Sequence, residues 1–388
     1  MAQRLGAVVR AATRIGYALL SVFALSCAHN ARIDEIAFRL DYAAQQGRGL
    51  QSQADVQLVD GLPRGSEAVA MALPKARIGI RHTDRIRHVI DMPVDIITSA
   101  SADALDAVSS ASLWTEAATV DGRTYIDLSD DDRLEVQWGM HLEEVMKGGS
   151  GGLGYRRELA NDNAILEVRG GLIIDMFDPI TPQGFDYGRA RRRTAHASIA
   201  ASQILSPTTW IDGSYGLTYQ WGVLATTWNG TATTDGGLYT EELFPGSRLR
   251  HALSGGIAQF VPATRSALRG RYRFYADDFD VQAHTITGEW LQWMGSRAYL
   301  RLGYRFHRQS AVNFFVGEPT DGLYESGARR TSDSDLAAFD AHEWSTQLVF
   351  FLDRNGPRGN ESLNLSFSRY TRPYFELHRI GLGYSRTF

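Results

Sequence analysis

The sequence predicts an all-β protein, an antiparallel transmembrane β-barrel of about sixteen strands with both termini on the periplasmic side. Three observations predict it. Apolar and polar residues alternate in segments of about ten residues, as expected of strands with one face to lipid and one to a lumen. Long and short connections alternate between those segments. The 388-residue chain also opens on an export-type segment and ends on Phe388.

At the N-terminus, Arg4, Arg10 and Arg14 precede an apolar run from Ile15 to Ala24, followed by small residues. This is the pattern of a secretory signal over residues 1–28, with cleavage near 26–28. Ser26-Cys27-Ala28 offers a small-x-small site, whereas Ala24-Leu25-Ser26-Cys27 is an imperfect lipobox that would lipidate Cys27. The apolar run is too short to span a bilayer as a helix, and no later stretch provides the ~20 apolar residues a membrane helix requires. A membrane protein made from this chain must therefore close as a barrel, because hydrocarbon leaves no partner for unpaired backbone groups. Cys27 is the only cysteine, so no disulfide is available and packing and hydrogen bonds must hold the fold. The net charge of -4 excludes the bulk basic surface expected of a nucleic-acid binder.

Residues 29–388 read as one barrel. Ile36, Phe38, Leu40 and Tyr42 share one face of the first strand, with Glu35, Ala37, Arg39 and Asp41 on the other. The pattern returns in Ile211, Gly213, Tyr215, Leu217 and Tyr219, in Ala298, Leu300, Leu302, Tyr304 and Phe306, and in Trp344, Thr346, Leu348 and Phe350. Comparable segments begin near residues 34, 66, 85, 122, 132, 150, 163, 193, 208, 249, 265, 281, 297, 341, 361 and 376; merging two weak early ones would leave about fourteen. Short turns fall at His82–Asp84, Asp130–Asp131, Ala160–Asp162, Ser206–Pro207, Pro262–Thr264, Gly295–Ser296 and Asp353–Asn360. Long connections fall at Ala44–Gly65, Ser99–Asp121, Met176–Arg192, Trp221–Arg248 and Gln309–Asp340, and are expected outside the cell. A soluble sandwich or propeller is the competing fold, but it would hide Phe, Trp and Tyr in a core.

Phe388 shares a face with Ile380, Leu382 and Tyr384, which looks like the C-terminal signal read by the barrel assembly machinery. Arg386 interrupts that pattern. The segments ITSASADALDAVSSAS (Ile97–Ser112), HASIAASQILSPTTWIDGSYGLTY (His196–Tyr219), and LRGRYRFYADDFDVQAHTITGEW followed by YLRLGYRFHRQSAVNFF (within Leu268–Phe315) resemble the outer-membrane family catalogued as domain of unknown function 3570. The stretch between about Gly122 and Ala190 departs from it. The resemblance implies a β-barrel and no particular activity.

Reading the alternation inward places Arg269, Arg271 and Arg273 on one strand and Arg301, Arg305 and His307 on another, with Thr285, Thr287 and Glu289 between them. Each Arg would cost about 2–4 kcal/mol at the lipid midplane, so these face the lumen. The wall either favours anions or forms a ladder of ion pairs with Glu289 and other carboxylates. Asp103 and Asp106 in Ser99–Ser112 are candidates for a loop that narrows the pore, or for an ordinary capped turn. His196, Ser198 and Asp212 are the residues a barrel hydrolase would use. Gly148–Gly154 lacks the Lys and Ser or Thr of a phosphate loop and reads as a flexible hairpin.

The function these features favour is a pore for small solutes with a partly basic lumen. The alternatives are a scaffold for a periplasmic lipoprotein or electron-transfer partner, and a hydrolase. Outer-membrane lipid, lipopolysaccharide and the assembly machinery are the expected partners; no metal ligand set or cofactor motif is evident.

Overall fold

The computed structural model describes residues 31–47, 69–99, 114–143, 146–178, 188–225, 230–232, 239–316, 327–331, 333–353, 360–373 and 375–388. The first half supplies β1 (Arg32–Gly47), β2 (Val69–Arg81), β3 (Ile86–Ser99), β4 (Trp114–Asp127), β5 (Asp132–Glu143), β6 (Met146–Leu159), β7 (Ala164–Phe177), β8 (Ala190–Ser206) and β9 (Thr209–Gly222). A small two-stranded sheet follows, β10 (Gly230–Ala232) and β11 (Tyr239–Glu241). The remainder supplies β12 (Ser247–Val261), β13 (Ser266–Asp277), β14 (Gln282–Met294), β15 (Ala298–Gln309), β16 (Phe339–Phe351), β17 (Glu361–Arg372) and β18 (Phe375–Thr387).

Sixteen of these strands form one closed antiparallel barrel in sequential order, with β9 beside β12. Closure is made by β1 against β18, in register from Glu35↔Thr387 to Gly47↔Phe375. Among the described residues the barrel has sixteen strands, not fourteen. Their starts match the sequence reading to within a few residues except at β4, which begins at Trp114 rather than near residue 122. The small outward residues Ala118, Val120 and Gly122 hide its alternation, and Asp121-Gly122 mimics a turn. In the structure Gly122 lies under Trp138 of the neighbouring strand, so a side chain there would collide with the indole. The GGSGGLG stretch is likewise no hairpin, because it lies inside β6. Its glycines let the backbones of β6 and β7 approach closely: a Cβ on Gly152 would stand 2.9 Å from the Gly170 carbonyl oxygen.

The side-chain distribution is that of a soluble barrel turned inside out. Ile36, Phe38, Leu40 and Tyr42 of β1 are 39–52 % exposed, and Leu253, Leu268, Ile286, Leu365 and Leu382 continue the outward apolar face around the wall. Transferring one such side chain out of water is worth about 1.5–3 kcal/mol, so a wall of them requires an apolar solvent. Three strand pairs, β9–β12, β13–β14 and β15–β16, carry the same outward pair towards the long-connection end. Tyr215, Tyr272 and Tyr304 place their hydroxyls 2.6–2.8 Å from Nδ1 of His251, His284 and His342. Such amphipathic rings suit a membrane–water boundary.

The strand ends beside Arg32 and Thr387 lie at the end of the barrel that carries the short turns. At this end the backbone N–H of Phe388 donates to the Asp34 carbonyl (2.9 Å), and Asp34 sits at the bulge between β1 and β2. Arg87 Nε donates to the Asp34 carboxylate at 2.8 Å.

Opposite, the long segments pack together. Phe279, Val281, Val312 and Phe314 form a buried apolar cluster joined by Phe244 and Leu336. Beneath it Asp277, whose side chain is fully buried, accepts from Arg248 Nε (2.9 Å), the Tyr275 hydroxyl (2.6 Å) and the backbone N–H groups of Phe279 and Val281 (3.0 and 3.1 Å). The Arg248 guanidinium also lies 4.6 Å from the Phe279 ring centre. Removing one partner from a buried pair leaves an uncompensated charge, at a cost of about 3–5 kcal/mol. Asp277→Ala is therefore expected to lower the temperature at which the folded, fast-migrating gel band is lost and to expose residues 277–281 to protease. Unchanged melting and cleavage would show that this pair does not hold the mouth.

Candidate luminal site

Strand register decides which charges meet inside the barrel. Between β13 and β14 the pairs are Arg269↔Glu289, Arg271↔Thr287 and Arg273↔Thr285; between β14 and β15 they are Thr287↔Arg305 and Thr285↔His307. All share the face opposite the outward Leu268, Tyr272, Ile286 and Leu302, so the luminal set named from sequence lies on one wall.

Acids neutralise much of that wall towards the short-turn end. Glu289 pairs with Arg301 and stands 3.9 Å from Arg269. Arg271 pairs with Asp212 at 2.6 Å across an intervening strand. The crossing works because Asp212, Gly256 and Arg271 are in register on β9, β12 and β13, and Gly256 has no side chain to block the ion pair. The same device recurs at Glu135–Gly154–Arg169, where Arg169 Nε reaches Glu135 at 3.2 Å. It recurs at the closure seam: Gly381 separates Asp41 from Ser366, and Arg39 bridges to both, at 2.7 and 2.9 Å.

Nearer the long segments the balance changes. Arg305 has Glu343 at 3.5 Å, but Arg273 has no carboxylate within ion-pair distance among the described residues. His307 Nδ1 is 2.8 Å from the Thr285 hydroxyl, and its Nε2 is 3.2 Å from the Gln309 amide oxygen.

Two contributions were not anticipated from sequence. Arg248 and Arg250 project from the start of β12 onto the same wall; the first is paired with Asp277, whereas the second meets the amide oxygen of Gln220 (2.8 Å), and its buried Nε has no hydrogen-bond partner among the described residues. Both stood at the edge of the expected Trp221–Arg248 loop, where the short run Arg248-Leu249-Arg250 was the available signal. The other contribution is the segment between β15 and β16, expected to be an external loop. Its 3₁₀ turn, Ser334–Leu336, lies over the luminal face. Gln309 Nε2 donates to the carbonyls of Asp335 (2.9 Å) and Ala337 (2.8 Å), and Arg372 pairs with the Asp335 carboxylate at 2.7 Å. Beneath this turn is a cavity of about 580 Å³ whose lining includes Arg250, Arg273, Arg305, His307, Tyr275 and Leu336.

Other sequence candidates fare differently. Asp103, Asp106, Cys27 and the signal segment lie outside the described residues. His196, Ser198 and Asp212 do not converge: His196 is opposite Thr218, whereas Asp212 is opposite Ser202 and engaged by Arg271. At a rise of about 3.3 Å per residue, the six residues from Asp212 to Thr218 separate the acid from the imidazole by roughly 20 Å. The hydrolase arrangement is therefore overturned for these three. At the chain end Ile380 and Leu382 are exposed on the outer face. Arg386 pairs with Glu361 at 3.0 Å and covers the Phe388 ring at 4.8 Å, and the Tyr384 hydroxyl reaches the same Glu361 oxygen at 3.4 Å. The arginine that interrupted the terminal pattern thus has a local partner.

A Cβ at Gly256 would stand 2.7 Å from Asp212 Oδ1. Gly256→Val is expected to break the Arg271–Asp212 bridge and to cost about 1–3 kcal/mol through overpacking. The urea midpoint of the folded barrel should fall; a midpoint equal to that of the native chain would refute the bridging role of the glycine.

Comparison with known proteins gives low-identity likenesses. Pseudomonas aeruginosa OccK1 (OpdK) superposes with a TM-score of 0.42 and 8% identity, covering 92% of this chain and 99% of that one. Pseudomonas aeruginosa OccK3 (OpdO) gives 0.43 and 10%, covering 93% and 97%. A bacterial polysaccharide outer membrane secretin gives 0.45 and 9%, covering 90% and 98%. No curated protein sequence matches the chain. A family model matches residues 172–370, just over half of the chain and the part that builds the arginine wall, and the protein accordingly belongs to the family described as protein of unknown function (DUF3570).

Proposed function

We propose that this barrel stands in the outer membrane as a pore for small solutes, with its long segments outside, and that its lumen favours anions. The observation that carries the reading is the uneven neutralisation of the arginine wall. Glu289 and Asp212 balance the arginines towards one end, while Arg250 and Arg273 at the other have no carboxylate partner among the described residues. A barrel of this strand number is wide enough for an aqueous channel, and a cationic constriction raises the local anion concentration. On the same reading, lipopolysaccharide surrounds the tyrosine–histidine boundary, and β18 with Phe388 is the signal to the assembly machinery.

Planar-bilayer recordings across a KCl gradient test this. The expected result is a finite conductance with a reversal potential of the sign for anion preference. Glu289→Gln, which releases Arg269 and Arg301, should raise the anion-to-cation permeability ratio by about twofold or more. Arg273→Ala with Arg305→Ala should lower it. No conductance from folded barrel would remove the pore, and cation preference would remove the basic lumen.

A further inference from the structure

We propose that the cavity beneath the Ser334–Leu336 turn is a binding site for a small organic monocarboxylate with an apolar body, so that the barrel recognises such an anion rather than only sieving it. The proposal rests on the pore reading only for its biological use; the site itself stands on four observations.

The first is charge. Four arginines line the cavity. Arg248 is neutralised by buried Asp277 and Arg305 by Glu343, whereas Arg250 meets a neutral amide and Arg273 meets no carboxylate among the described residues. The one acid in the lining among the described residues, Asp335, is held by Arg372 at 2.7 Å and does not offset them. Two guanidiniums therefore remain for an incoming oxyanion, and their planar donor forks match a carboxylate.

The second is the opposing surface. Ala252, Val281, Ala283 and Leu336 also line the cavity, giving it an apolar wall as well as a cationic one. Inorganic anions gain nothing from that wall, whereas an acid with a hydrocarbon body uses both. The third is size: about 580 Å³ falls within the range of roughly 300–1,000 Å³ typical of small-molecule pockets. The fourth is preorganisation. The roof is fixed by both Gln309 bonds, by the Arg372 pair and by the Val312 N–H donating to the Leu336 carbonyl (3.0 Å), so a guest need not order it on binding.

Calorimetric titration of the folded, detergent-solubilised full chain provides the test, with benzoate as probe and acetate, inorganic phosphate and benzyl alcohol as comparisons. Benzoate should bind saturably and at least about tenfold more tightly than each of the other three. Arg250→Gln and Arg273→Gln should each weaken benzoate by about tenfold, and Leu336→Ser should weaken benzoate while leaving acetate unchanged. Arg273 is exposed to the lumen, so its variant reports binding even where Arg250→Gln alters folding. Equal affinity for phosphate or acetate would reduce the site to general cationic attraction and overturn the proposal. Equal affinity for benzyl alcohol would reduce it to an apolar hole, with the same consequence. Benzoate binding without bilayer conductance would keep the site and remove the pore, whereas conductance without benzoate binding would do the reverse.

Discussion

A strand with a free edge cannot exist in hydrocarbon, because each unpaired N–H or C=O costs several kcal/mol and no water is present to replace the missing partner. Pairing of β1 with β18 removes that edge, and the other features follow from it. Once the sheet closes, every strand has an outside and an inside, and side chains alternate between them. The outside must be apolar along its whole height. Away from the strand ends the charge of the wall is therefore concentrated on the inside, where long arginines and carboxylates must share a curved surface with limited room. Glycines at Gly256 and Gly154 let ion pairs cross a strand to reach a partner two strands away, and Gly381 lets Arg39 reach the Ser366 hydroxyl in the same way. A residue type that weakens an ordinary strand is here part of the electrostatic design.

The same constraint explains why the two ends of the barrel differ. At the short-turn end, strands reverse within a few residues and the luminal charges meet acids on neighbouring strands. At the other, the short β13–β14 turn and the β15–β16 connection build a core around Phe279 and Phe314, with Asp277 tying Arg248, Tyr275 and that turn together. That core supports the Ser334–Leu336 turn above the lumen. The result is a cavity with a cationic side inherited from the wall and an apolar side inherited from the loops.

The amino-acid sequence by itself determined which residues face lipid and which face the lumen, because a two-residue period is a local property that needs no partner to be read. It likewise pointed to about sixteen strands, with fourteen left open until the barrel closed, and to which end carries the short turns. It was least legible where the local signal is weak: in β4, where Ala118, Val120 and Gly122 make a small outward run, in the glycines of β6, and at Arg248 and Arg250, where a strand begins inside an expected loop. Only the tertiary structure decided which charges are neutralised. Arg271 meets Asp212 from 59 positions away, through a register that no single strand contains. It also separated His196 from Asp212, which lie close in sequence but far apart along paired strands, and it folded Leu336 over the arginines of β12, β13 and β15. Ion pairing and enclosure depend on distances between strands, and those distances exist only once the barrel has closed.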